Sequence, residues 1–109
     1  MILTAHQPSY LPWLGLFNKI ALADEFVHLD QVQYQPEEFN NRNRIKTPQG
    51  AKWLSVPVLR RGYLKKNICD IEINNNLPWG RKHWRTLKQA YVRTPYFDKY
   101  ATYFERIYS

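Results

Sequence analysis

The chain has 109 residues, 44% of them hydrophobic and 16% aromatic, with sixteen Lys and Arg against nine Asp and Glu. That length suits one domain with a modest core, and four Trp, eight Tyr and five Phe exclude a disordered composition. No apolar run reaches the roughly 18 residues of a membrane helix, no basic stretch opens the chain as a secretory signal would, and the single Cys69 forms no internal disulfide, so the cytoplasm is the expected compartment.

The first predicted element is the short apolar run "MILTA", a buried strand that ends at His6. The connection after it, "HQPSYLPWLG", is long, stiff and polar-aromatic, whereas a plain strand-to-helix loop needs only about two to six residues. A helix follows from about Leu14 to Ala23, with Leu16, Phe17, Ile20, Ala21 and Ala23 at helical spacing and Lys19 and Asp24 left for solvent. "EFVHLD" is the next strand, ending at Asp30, with His28 read as a satisfied core histidine. Strand, helix and strand within so short a span predict a βαβ unit with parallel strands. "NRIKTPQGAKWLSVPV" predicts a hairpin whose type I turn carries Pro48 at its second and Gly50 at its fourth position. "ICDIEI" alternates and predicts another short strand over 68–73. Asn76 is the expected N-cap of a helix from about Trp79 to Val92, with Trp84, Leu87 and Tyr91 as its apolar stripe. His83, set among Arg81, Lys82 and Arg85, reads as a surface residue of that helix. Thr94-Pro95 supplies an N-cap and first-turn proline for a last helix, lined on one face by Phe97, Ala101, Phe104 and Tyr108. The fold class is therefore α/β: a small, partly parallel sheet with an N-terminal βαβ unit, a β-hairpin and two C-terminal helices, in one domain over residues 1–109.

In open α/β sheets ligands bind outside the carboxyl ends of the strands. Two polar clusters occupy such ends, so His6, Gln7, Asp30 and Gln33 are expected to converge although they lie far apart in sequence. His6 suits general acid/base work or donation to a phosphate oxygen; the alternative is a histidine bonded to its own loop. Asp30 suits a sugar hydroxyl, the orientation of His6 or a magnesium ion, against the alternative of a turn-forming aspartate. Pro8 and Pro12 stiffen the loop, and Tyr10 and Trp13 either stack on a base or sugar ring or pack as a lid over the core. Gly15 would let a phosphate approach the first turn of the helix.

"FNNRNRIK" is the second local feature: Arg42, Arg44 and Lys46 alternate onto one face of an extended segment, with Asn41 and Asn43 facing the other way unless the segment turns, and the polar loop before it adds amide donors. Aligned arginines suit a bidentate grip on phosphate or carboxylate, and the alternative is a charged edge strand that resists aggregation. Eight basic and no acidic residues lie between Phe39 and Cys69, and five more between Ile73 and Phe97. Such acid-free stretches point to a polyanionic partner: the phosphates of a nucleotide, a nucleotide-sugar or an RNA. Three scattered histidines and one cysteine have no metal-ligand spacing. No nucleophile elbow, Walker A loop or dinucleotide fingerprint occurs, and no cofactor follows from the residues.

The ordered set "HQPSYLPWLGLFNKIALADEFVHLDQVQY", "FNNRNRIKTPQG" and "WLSVPV", followed by "WGRKHWRTLKQAYVRTPYF", resembles the WbqC-like protein family. Its signature falls here on His6, Gln7, Pro8, Tyr10, Pro12, Trp13, Gly15, Lys19, Asp24, Asp30, Gln33, Asn41, Arg42 and Lys46. The resemblance implies a transferase-related enzyme of surface polysaccharide (O-antigen) biosynthesis in bacteria and archaea, acting on an activated, phosphate-bearing sugar such as a nucleotide-sugar by acyl or aminoacyl transfer. Members of the family are longer, and this chain ends within the helical region. A fainter likeness, to the opening of HxGH-type nucleotidyltransferases, lacks their second histidine, since Leu14 and Gly15 are followed by Leu16. The alternative classes are an RNA- or tRNA-binding module, suggested by the basic run from Arg81 to Arg93, and a non-catalytic fragment. No membrane insertion is expected.

Overall fold

In the computed structural model, which describes residues 1–109, β1 (Leu3–His6) lies parallel to β2 (Glu25–His28), with α1 (Leu14–Leu22) between them in the chain. The register sets Leu3 opposite Glu25 and His6 opposite His28. Lys19 and Asp24, left for solvent by the sequence pattern, instead pin this unit. Lys19 Nζ donates to the Ala5 carbonyl at 2.9 Å, and the Ile2 N–H donates to Asp24 Oδ2 at 2.6 Å. Leu16 is the one residue of α1 that is buried. His28 is not a core histidine: it is exposed, edge-on to Phe26 at 4.8 Å, because no element packs over that face of the two-stranded pair.

The hairpin forms as expected from β3 (Arg42–Thr47) and β4 (Gly50–Ser55). Gly50 takes φ +103°, a left-handed angle that glycine adopts at no steric cost. Thr47 Oγ1 accepts the Gln49 N–H at 3.2 Å and donates to the Gly50 carbonyl at 2.6 Å, closing the Pro48–Gln49 loop. Alternation then sorts the faces: Ile45 and Leu54 are buried, while Arg42, Arg44 and Lys46 share the other face with Trp53, the partner of Arg44. The parallel pair and the hairpin remain separate two-stranded sheets.

"ICDIEI" does not form a strand. Ile68–Asp70 makes a 3-10 turn, and Ile73 alone bridges to Val58. The Ile68 and Cys69 N–H groups donate to the carbonyls of Val32 and Asp30, at 2.9 and 2.8 Å, while those of Asp70 and Ile71 close back onto Asn67 and Ile68. Alternating isoleucines serve such a folded edge as well as they serve a strand.

Two helices complete the chain: α2 (Trp79–Tyr91), which packs on β3, and α3 (Phe97–Tyr108), which packs on α2. Neither begins where its expected cap stands. Pro78 occupies the cap position of α2, and Asn76 uses its N–H on Asn74 Oδ1. Thr94 closes α2 by donating its hydroxyl to the Tyr91 carbonyl at 2.6 Å, and α3 starts only after Tyr96. Trp84 stacks flat on Phe97, with centroids 6.0 Å apart, which fixes the near end of α3. Its far end comes down on Gly80, where a Cβ would stand 2.8 Å from the Tyr108 carbonyl oxygen, so only glycine allows that approach. No helix is long and apolar enough to cross a membrane.

Candidate functional site

Past β1 the chain folds over its own carbonyl groups. His6 Nδ1 lies 2.7 Å from the Gln7 carbonyl oxygen. A carbonyl only accepts, so this partner assigns the proton to Nδ1 and leaves Nε2 of the neutral ring with its lone pair. The imidazole stands edge-on to Trp13 at 5.2 Å. The Trp13 indole in turn occupies the space beside Gly15 that any Cβ there would need. Gly15 thus makes room for an aromatic wall, and the indole fills the approach expected for a phosphate.

The opposite wall comes from residues that the sequence reading passed over. Asn40 Nδ2 donates to the Pro8 carbonyl at 3.0 Å and to Gln7 Oε1 at 3.3 Å, and the Tyr10 N–H reaches the Phe39 carbonyl at 3.2 Å. Asn43 Nδ2 holds the Leu11 carbonyl at 2.8 Å, where Leu11 has φ +45°. Left-handed backbone at a leucine costs on the order of 1–3 kcal/mol and persists only when its surroundings impose it. Between the two segments lies a cavity of about 240 Å³, with His6, Gln7 and Trp13 on one side and Gln35, Glu38, Phe39 and Asn40 on the other. The signal for the second wall was present in "QPEEFN", which has the same mixture of proline, amide and aromatic residues as the first loop.

Asp30 and Gln33 do not line this cavity, although the Leu29 N–H donates to the His6 carbonyl at 2.9 Å and so keeps Asp30 near the end of β1. The chain turns after Asp30 and runs beside residues 64–69: the Asp30 carbonyl accepts the Cys69 N–H, and Gln33 Nε2 donates to the Leu64 carbonyl at 2.6 Å. Of the hairpin residues, Arg42 folds back, its guanidinium donating to the carbonyls of Glu37 and Glu38 and lying 4.1 Å from the Trp53 centroid. It thereby holds the segment that presents Glu38, in which Glu37 has φ +65°. Arg44 lies 5.3 Å from the same Trp53 ring, and Lys46 is exposed beside it in the strand alternation. Asn41 is a structural tie, accepting the Tyr34 hydroxyl at 2.9 Å and donating to the Val56 carbonyl at 2.8 Å. Phe39 joins the cavity to the arginine face, since its ring packs 5.9 Å from Trp53.

Tyr10 leaves the cavity for a buried network. Its hydroxyl contacts Tyr108 Oη and lies 2.8 Å from His83 Nδ1, while His83 Nε2 lies 3.0 Å from the Ser55 carbonyl. Because Ser55 can only accept, His83 carries its proton on Nε2. Tyr10 donates to Nδ1, and Tyr108 donates to Tyr10. His83 is 6% exposed, not a surface residue: it lies one turn before Leu87 on the helix's apolar side, and Arg81, Lys82 and Arg85 point away. Burial lowers its pKa from the ordinary 6.5, with partial opposition from the Ser55 hydrogen bond. Burial raises the pKa of both tyrosines, so they stay protonated.

The profile of the WbqC-like protein family matches residues 7–109, nearly the whole chain. The chain is also 39% identical over 102 residues to an uncharacterized protein of Mycobacterium tuberculosis, a match that covers 94% of this chain and 44% of that protein. It therefore spans less than half the length of that relative. No solved structure matches it.

Proposed function

From the premise that the chain belongs to the WbqC-like protein family, we propose that it is the sugar-binding part of a transferase of surface-polysaccharide synthesis. What carries the reading is the small His6 cavity, of about 240 Å³, which sets amide and carboxylate groups between two aromatic walls. Gln7, Gln35 and Glu38 would take sugar hydroxyls, and Trp13 and Phe39 the faces of the ring. The phosphates of a nucleotide-sugar would lie toward Arg44 and Lys46, with Arg42 positioning the Glu38 segment. In acyl transfer, His6 Nε2 would take the proton of a sugar hydroxyl as that oxygen bonds to the acyl carbon and the donor's leaving group departs.

Calorimetry with a panel of nucleotide-sugars tests this. Glu38→Gln and Arg44→Ala are each expected to weaken binding about tenfold, since each removes a charged hydrogen-bond partner. Absence of binding, or binding indifferent to both changes, would sink it. A second reading, RNA binding, rests on Arg81, Lys82, Arg85 and Lys88, all exposed along α2. It predicts affinity for tRNA that falls steeply with salt.

A further inference from the structure

For its mass of 13.1 kDa the chain exposes too much surface. Its accessible area is 8636 Å², against roughly 6,400 Å² for a compact monomer of that mass, a surplus of about 2,200 Å². The Cα radius of gyration, 15.6 Å, likewise exceeds the roughly 13 Å of a compact domain of this length. One partner in an obligate interface buries on the order of 1,000–2,500 Å², so the surplus has the size of a missing partner. Part of it is the β1–β2 pair, which exposes Leu3 and Val27, whereas parallel sheets are normally covered on both faces.

The most ordered part lies on α3. Its inward residues face α2, but Tyr100, Tyr103 and Ile107 are 48%, 64% and 57% exposed, and Tyr96, the residue that caps the helix start, is 72% exposed. Their spacing of four, three and four residues is the d-a-d-a seam of a coiled coil, a face that fits another helix. In the same heptad frame the flanking g positions are Lys99 and Arg106, both cationic and exposed, and the whole chain carries a formal charge of +7. The first two seam residues, Tyr96 and Tyr100, also line an apolar trough of about 390 Å³ between α2, α3, Leu11 and Ile45.

We propose that the outward face of α3 seats a helix with an apolar a/d seam and acidic flanks, supplied in the longer relative by polypeptide outside the matched region. The length of that relative favours a further segment over a second copy, because more than half of it lies outside the match. Charge separates the two as well. In an antiparallel pair a second α3 would bring Lys99 and Arg106 against their own kind, and in a parallel pair it would set them beside Phe97 and Phe104 with no opposite charge, whereas an acidic helix complements them.

The test titrates the 109-residue chain with two synthetic amphipathic helices of identical leucine seams, one flanked by Glu and the other by Lys. The acidic peptide is expected to bind at least tenfold more tightly. Ile107→Lys should abolish binding, and the double change Lys99→Glu, Arg106→Glu should reverse the preference. The charge reversals lie on exposed side chains, so they read the seam even if Ile107→Lys were to unfold the chain. Equal binding of both peptides, or binding of neither, overturns the proposal. So does a doubling of mass in light scattering that Ile107→Lys removes, which would give the face to a second copy. Glu38→Gln should leave peptide binding unchanged, which separates this outcome from that of the sugar pocket.

Discussion

The His6 cavity and the outward face of α3 belong to one short chain and are built in opposite ways. Around the cavity nearly every backbone turn is tied by a side chain: Asn40 to Pro8, Asn43 to Leu11, Arg42 to Glu37 and Glu38. The α3 face has Tyr100, Tyr103 and Ile107 in register, each about half exposed or more, with Tyr96 just before the helix, and no other element of the chain covers them. The difference teaches what each kind of surface needs. A polar cavity assembled from loops needs only local hydrogen bonds, which a chain of this length supplies, whereas an apolar helix face is covered only when another surface packs on it. Between the two runs the network from His83 through Tyr10 to Tyr108, which fastens the cavity's loop to the far end of α3.

The sharpest way to break this comparison is to cut that network. Tyr10→Phe leaves His83 Nδ1 without a donor and the Tyr108 hydroxyl without an acceptor. Each orphaned buried group costs about 1–3 kcal/mol, so the variant should lose about 3 kcal/mol in urea unfolding at unchanged slope. Tyr103→Ala, on the open seam, should cost no more than about 0.5 kcal/mol, as exposed positions do. Equal losses at the two sites would mean that α3 is not fastened from the inside.

A smaller effect comes from pH. The folded state holds the His83 pKa below the 6.5 of an unperturbed histidine, so the unfolded chain binds a proton first as the solution is acidified. Stability is full above about pH 6.5 and declines as pH falls from there toward the lowered folded value. His83→Gln, which removes that titration, should flatten the stability profile between pH 7 and 5 relative to the parent chain. A parent profile already flat over that range would contradict a buried neutral His83.

Much of the fold was legible because its signals are local. The βαβ unit follows from two apolar runs around a helical spacing, and the hairpin from Thr47-Pro48-Gln49-Gly50. What escaped depends on partners distant in sequence. The alternation of Ile68 to Ile73 is the same whether the backbone pairs as a strand or folds into turns, and only the Asp30 and Val32 carbonyls decide it. The basic neighbours of His83 conceal its place on the apolar side, because a helix turns adjacent residues to different faces. The two C-terminal helices were legible, but their caps were not. Thr94 spends its hydroxyl on the Tyr91 carbonyl, and at Asn76 it is the backbone N–H that bonds, to Asn74 Oδ1.

The site itself was half legible, and the smallest expected effect tests that division. His6, Gln7 and Trp13 stand where a strand-end site should, yet the carboxylate facing them is Glu38 and not Asp30. The chain reaches Asp30 at the correct edge of the sheet and then runs beside residues 64–69, its backbone carbonyl accepting the Cys69 N–H. If the cavity is the sugar site, Asp30→Asn should leave nucleotide-sugar affinity within about twofold while Glu38→Gln loses about tenfold, because only Glu38 brings a charged acceptor to the ligand. The reverse ranking would restore the convergence of His6 with Asp30 and would require the ligand to lie over the ends of β1 and β2, outside the cavity. Measured on one titration series, the two variants decide which carboxylate the polar half of this molecule uses.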